Sequence, residues 1–318
     1  MTVNWAVWKP RLLYGGFALV AFVLSLRWTF PTEAVKERVM FEAGRRGWQV
    51  EMDRLGPSGV LGLRADGLTL EDRSGLKLSV ERLDAGLRVL PLLLGKRVLT
   101  LDAVVLDGRV TGSAELSGAT RHVSATLSGL DAARAAAMRN QIGPALGGRL
   151  GGTFELELPY NGDAPDLTKA TGRVDLSMAA ATVSGQLPLP GFTGGLPLPR
   201  VPLGAVTLAV KLDQGRAAVE RLETKGGDVE LSTEGLSVAL QQRLEFAALS
   251  GRARLHLAPS FWQQPATKDL KPLADAALMQ SKISDGTYQF QVAGTLGRPQ
   301  LTPGAHATPG GVPSSGGE

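Results

Sequence analysis

The residues best suited to proton transfer or metal ligation in this 318-residue chain are three histidines, His122, His256 and His306. They lie more than 45 residues apart, whereas short metal motifs repeat their ligands at intervals of a few residues. His122 and His256 fall inside alternating, strand-like segments and read as surface or rim residues. Cysteine is absent, which removes disulfides, thiolate nucleophiles, cysteine zinc sites and iron–sulfur ligation together. Asp66, Glu71 and Asp72 fall at turns and strand ends, without HExxH or calcium-loop spacing. The stretch GPALGGRLGG, residues 143–152, has the glycines of a phosphate cradle but lacks its Lys-Ser/Thr end. It reads as a flexible link between a helix and a strand. Serines near glycine are plentiful, yet none forms a GxSxG elbow. The sequence therefore predicts no catalytic, cofactor-binding or metal residues, no cofactor and no enzyme.

The elements that would position side chains point instead to a scaffold. Forty Gly and 19 Pro against 17 aromatics describe a chain that turns often and has few long helices. From Trp48 onward the hydrophobic period is two. Leu68 and Leu70 alternate with polar residues, as do Phe154, Leu156 and Leu158, then Val174, Leu176 and Met178, then Val206, Leu208 and Val210. The pattern returns at Leu236, Val238 and Leu240, at Leu255 and Leu257, and at Tyr288, Phe290 and Val292. Such alternation builds antiparallel strands with one apolar and one wet face. Counting segments gives about 14–18 strands, spaced by roughly 4.8 Å. Asp-Gly at 66–67, 107–108 and 285–286 and Asn161-Gly162 offer positive-φ turn residues. A one-sided sheet must cover its apolar face, by folding over itself, by adding helices or by holding something apolar; the residues leave one curled groove and two packed layers both open.

Helices are expected at three places after the N-terminal segment. Residues 31–47 hold one, with Thr32 as N-cap, which either packs on the first strands or lies at a membrane interface. Asp131 can cap an alanine-rich helix over 131–142, and a third helix spans about 267–280, in which Pro272 is uncomfortable unless it lies in the first turn. Both are expected to cover the sheet. Residues 186–203, QLPLPGFTGGLPLPRVPL, carry proline at a density that predicts a loop or edge excursion. Residues 303–318 have almost no apolar content and are expected to be disordered.

Charge separates the chain into two parts. The formal charge is +4, and residues 1–50 hold seven Lys/Arg against three Glu, leaving 27 basic and 27 acidic residues in the remainder. That excess adjoins the uncharged run Leu12 to Leu26. Continued through Phe30, a helix over 12–30 would be about 28 Å long, close to the hydrocarbon thickness of a bilayer. The exit Arg27-Trp28-Thr29-Phe30-Pro31 lacks the small-x-small pattern of a signal-peptidase site. The segment therefore reads as an uncleaved transmembrane helix, with a juxtamembrane basic cluster rather than a nucleic-acid footprint. Orientation stays open, since the basic count favours one topology and the short leading tail the other.

The run Gly286-Thr287-Tyr288-Gln289-Phe290-Gln291-Val292-Ala293-Gly294-Thr295-Leu296-Gly297-Arg298-Pro299-Gln300-Leu301 resembles the closing motif of the AsmA-like superfamily. Together with the anchor segment, Trp48-Gln49-Val50, Leu68-Thr69-Leu70 and the strand from Gly226 to Leu231, the order over about residues 10–301 resembles the type II secretion system protein N family. The resemblance implies a mainly β fold: an N-terminal transmembrane helix, then a long, twisted, largely antiparallel sheet curled into an AsmA-like groove, with short covering helices. It implies a cytoplasmic tail over 1–11, an anchor over 12–30, a juxtamembrane helix over 31–47, a periplasmic β domain over 48–302 and a disordered tail over 303–318. It also implies a non-enzymatic, single-pass inner-membrane component of type II protein secretion, with its N-terminus cytoplasmic. Its partners would be inner-membrane lipids and secretion-platform proteins, with no nucleic acid. The alternative it carries is a lipid-transfer protein with phospholipid in an apolar groove.

Overall fold

The alternation of apolar and polar residues becomes antiparallel pairing wherever the structure, a computed structural model, describes the chain. The described residues are Tyr14, Phe17, Ser25, 29–45, 47–72, 77–137, 145–162, 164–187, 196–264 and 267–304. They divide into two units, residues 1–117 and residues 118–318.

In the first unit, helix α1 (Thr32–Arg45) leads into β1 (Trp48–Glu51), β2 (Arg54–Ser58), β3 (Gly62–Asp72) and β4 (Lys77–Leu87). A one-and-a-half-turn helix α2 (Val89–Leu93) then precedes β5 (Val98–Val105) and β6 (Gly108–Glu115). Strand β3 pairs with β4 along one edge; along the other it meets β2 through Gly62–Asp66 and β1 through Thr69–Asp72. Asp66-Gly67 is therefore the changeover between β2 and β1 rather than a hairpin turn. Glycine suits this position: φ is +63°, and a Cβ there would push aside the Asp53 carboxylate. By contrast, the loop of the β5–β6 hairpin is Leu106-Asp107, with φ of 53° and 56°, the type I′ geometry that matches strand twist.

Alternation sorts this unit's two faces. Val50, Met52, Ala65, Leu68, Val80, Ala103 and Val105 are buried. On the opposite face, Arg64 Nε donates to Asp84 Oδ1 at 2.8 Å, Arg109 Nε to Asp102 Oδ1 at 2.7 Å and Arg82 Nε to Asp66 Oδ1 at 3.3 Å. Arg64 faces Asp84 and Arg82 faces Asp66 in register, Asp84 faces Asp102 on the next strand, and Arg109, opposite Val104, reaches Asp102 diagonally.

The second unit holds β7 (Thr120–Asp131), α3 (Ala132–Ala137), β8 (Ala145–Asn161), β9 (Ala164–Pro165), β10 (Thr171–Leu187), β11 (Leu196–Asp213) and β12 (Arg216–Lys225). It continues with β13 (Val229–Ala239), β14 (Ala248–Leu257), α4 (Lys271–Leu278), β15 (Lys282–Ser284), β16 (Thr287–Thr295) and β17 (Arg298–Pro303). The ladder runs β7-β8-β10-β11-β12-β13-β14-β16-β17, antiparallel at every step, with short β9 on β8 and β15 on β16. Asp131 caps α3 as its sequence predicts, accepting from Ala133 N at 2.9 Å. Pro272 sits at the start of α4, where its missing N–H breaks no helical bond.

Two glycine- and proline-rich stretches form strand where a link or loop was one expectation. The glycines of 147–152 lie inside β8, paired with β10, rather than in a flexible link. Of the proline-rich 186–203, residues 188–195 lie outside the described residues, 186–187 end β10, and 196–203 open β11 as an edge excursion rather than a loop. Pairing to β12 begins only at Ala205, so this stretch has β10 on one side and no second strand partner among the described residues. Proline is tolerated on such an edge, because its absent N–H can face the unpaired side.

The expected fold class needs two corrections. No helix among the described residues is long and apolar enough to cross a membrane. The longest, α1, has 14 residues and carries Glu33, Lys36, Glu37, Arg38, Glu42 and Arg45, so it spans only about 21 Å. The expected transmembrane helix over 12–30 lies outside the described residues save for Tyr14, Phe17, Ser25, Thr29 and Phe30. Nor is the sheet closed into a groove. Among the described residues of the second unit, β17 pairs with β16 alone and is exposed along its length, which leaves an open edge. The apolar face is covered in part by helical segments instead of curling on itself.

Candidate functional site

Helical segments cover the sheet of the second unit after β14. Ala258-Pro259 ends that strand, since proline cannot donate to a ladder. A 3-10 turn follows over Pro259–Gln263, another over Lys268–Leu270, and then α4. Phe261 is buried and packs edge-to-face on Trp262, with centroids 4.8 Å apart.

Polar groups hold this lid down. Asp228, immediately before β13, accepts from Ser260 Oγ at 2.6 Å and from Gln264 Nε2, while its carbonyl accepts from Ala258 N at 2.8 Å. Thr267, fully buried, donates its hydroxyl to the Phe261 carbonyl. On β16, burial pushes the Tyr288 phenol above its ordinary pKa, and the Asp275 carboxylate on α4 adds to the shift.

Beneath the lid is a cavity of about 290 Å³. Its floor includes Val201 and Leu203 of β11, Leu231 of β13 and Leu255 of β14; its roof includes Trp262 and Leu278. Around it pack Val201, Val229, Leu257, Phe261 and Tyr288, the buried cluster of this unit. Thr224 is the one polar residue in the wall, and its hydroxyl is occupied, donating to Val229 O at 2.9 Å and accepting from Leu231 N at 2.8 Å. Such a lining repels water and offers a ligand only hydrocarbon contact.

The first unit has its own apolar cavity, about 490 Å³, between Phe30, Val35 and the β2–β3 hairpin, with Leu63, Leu87 and Leu99 in its wall. It is larger but much more open, and the chain before Phe30 lies mostly outside the described residues. The lidded cavity is the better-defined site.

Neither described histidine lines either cavity. His122 is exposed on β7; His256 is half-buried with Nδ1 2.9 Å from Thr287 Oγ1; His306 lies outside the described residues. Among the described residues no three metal-ligating side chains converge. Leu176 and Leu208 face each other across β10 and β11, away from the lidded cavity. Sequence reasoning missed Val201 and Leu203 because they sit in the proline-rich stretch, although their spacing of two was a usable strand signal.

Each unit is thus an antiparallel sheet with an apolar cavity against it, and in the second unit that cavity is lidded. A family model described as YdbH-like, intermembrane phospholipid transport protein YdbH, matches residues 18–310, and the chain belongs to that family. The family lies in the AsmA-like superfamily, to which the closing motif at 286–301 pointed. No curated protein and no solved structure matches the chain.

Membership makes the chain a non-catalytic transport protein with phospholipid- or membrane-related interactions. It also corrects the functional expectation. A single-pass, inner-membrane-anchored component of type II secretion is not supported, because the family is described by phospholipid transport and no described helix can serve as the anchor. The bitopic topology with a cytoplasmic N-terminus falls with it.

Proposed function

We propose that this chain takes part in moving phospholipid between membranes, and that the lidded cavity of the second unit receives part of an acyl chain. The observation that carries the reading is the unfilled hydrocarbon-lined space under Phe261, Trp262 and α4. Its wall offers hydrocarbon contact from five strands and the lid, and Thr224, the polar residue in it, has its hydroxyl already engaged. The cavity is at the small end of ligand sites, suited to one stretch of chain rather than an entire lipid. Headgroup and remaining chain would stay outside the lid. The family's description supports phospholipid as the class of ligand.

Secretion-platform subunits as partners would instead meet the open edge at β17 or other surfaces, and would leave the cavity indifferent to lipid. Photo-crosslinking separates the two. A benzophenone amino acid replacing Trp262 in the full chain should capture phospholipid acyl chains from membranes; one replacing Gln300 on the exposed edge should not. Protein adducts at position 300 with no lipid adduct at 262 would overturn the reading.

A further inference from the structure

One end of the first unit carries a tip of three exposed leucines that line neither cavity. Helix α2 bears Leu90 and Leu93 and is followed by Leu94; the three are 75, 76 and 82% exposed, more than any buried-face role would leave. Spacing of i, i+3 and i+4 puts them on one side of the turn. Val60 and Leu61 of the β2–β3 hairpin, which line the first unit's open cavity as Leu90, Leu93 and Leu94 do not, are exposed at the same end, where Leu87 N donates to Leu61 O at 2.9 Å. Arg88, Lys96 and Arg97 flank the leucines and are exposed. Lys96 has Glu115 at 3.7 Å, while Arg88 and Arg97 have no ion-pair partner among the described residues.

We infer that this tip inserts into the surface of an anionic phospholipid bilayer, with Leu90, Leu93 and Leu94 below the headgroups and Arg88 and Arg97 against the phosphates. Two observations select this occupant. The unpartnered basic collar complements lipid phosphate, whereas a second copy of the tip would set the same positive charges against one another. The tip is also shallow: α2 is about 7.5 Å long, the scale of the headgroup–acyl boundary reached by interfacial segments. Peripheral contact of this kind needs no membrane-spanning helix and does not rest on the lidded cavity.

The chain has no cysteine, so Leu93→Cys offers one labelling position for an environment-sensitive fluorophore. With vesicles of 30% phosphatidylglycerol in phosphatidylcholine, its emission should shift to the blue and be quenched by spin-labelled acyl chains. The same label at Leu301→Cys, an exposed leucine of the second unit, should stay in a watery environment. Arg88→Gln with Arg97→Gln should raise the lipid concentration needed for the shift by roughly 10- to 30-fold. Because the signal arises at position 93, contact made elsewhere on the chain leaves it unmoved. An unshifted label on protein that floats with the vesicles would overturn the inference. So would a shift without lipid that grows with protein concentration, which would assign the tip to a second copy. Equal response to neutral vesicles would remove the role of the arginines and overturn the inference as stated.

Discussion

Asp228 accepts a hydrogen bond from Ser260 across the boundary between sheet and lid, at 2.6 Å, and a second from Gln264. Thirty-two residues of chain separate the first pair, and the intervening strands β13 and β14 supply much of the cavity floor. The clasp therefore sets how tightly the lid closes over the apolar space.

Replacing Asp228 with Ala should loosen the lid without unfolding the sheet. Hydrogen bonds to a charged acceptor contribute about 1.5–3 kcal/mol when buried. Asp228 is half-exposed, so a loss of about 1–2 kcal/mol is expected. Amide hydrogen exchange should accelerate over 258–270 while β13 stays protected, and an apolar dye should enter faster.

Gly152→Ala should disrupt the β8–β10 ladder. Gly152 has φ of 152°, and a Cβ there would lie 2.2 Å from the Asp175 carbonyl oxygen. Backbone on a central ladder cannot move aside cheaply, so a loss of about 1–3 kcal/mol is expected in denaturant unfolding. Gly44→Ala in α1 is the comparison: nothing lies within 4 Å, and helix propensity predicts a change of at most about 1 kcal/mol, in the stabilising direction.

Much of the fold was legible in the sequence because period-two alternation and turn chemistry are local. Tyr288, Phe290 and Val292 fall in β16 as their spacing predicts, and Asp131 caps the helix expected of it. What was hidden depended on partners distant in sequence. Asp66-Gly67 looks like a hairpin turn but serves a changeover between two strands, a fact visible only once Asp53 is seen beside it. Prolines 197, 199 and 202 argue against strand until the missing neighbour on one side of β11 is known. The site was illegible for a related reason. Its lining residues come from five strands and a lid, and each alone is an ordinary core leucine, valine or aromatic. The run 12–26 is apolar enough to suggest an anchor by itself, but its placement lies outside most of what the structure describes.

Acid should weaken the first unit through its charged face. Hydrogen bonding from Arg64 holds the Asp84 carboxyl below its ordinary pKa, opposed by burial and reinforced by Ser58; Arg109 does the same for Asp102. A depressed folded pKa means that the stabilisation is complete above the unfolded aspartate value, about 3.9, and is lost as pH falls through the folded one. The unfolding midpoint should therefore drop on acidification below about pH 4–5. Asp84→Asn should be less stable at pH 7 and show a flatter acid limb. An unchanged acid limb would remove the pair from the account.

Filling the cavity should separate binding from folding. Leu231→Phe adds volume where space exists, so its cost should stay within about 1–3 kcal/mol. Leu257→Ala instead removes packing beside the cavity and should cost about 2–5 kcal/mol.

The central claim is that the lidded cavity holds an acyl chain. The most direct measurement is the amount of phospholipid carried by the purified full chain, determined by native mass spectrometry for the parent and for Leu231→Phe combined with Val183→Phe. The account predicts lipid on the parent and its loss, by tenfold or more, on a filled variant that still unfolds cooperatively. Equal lipid on both, or none on the parent after exposure to phospholipid vesicles, would contradict it.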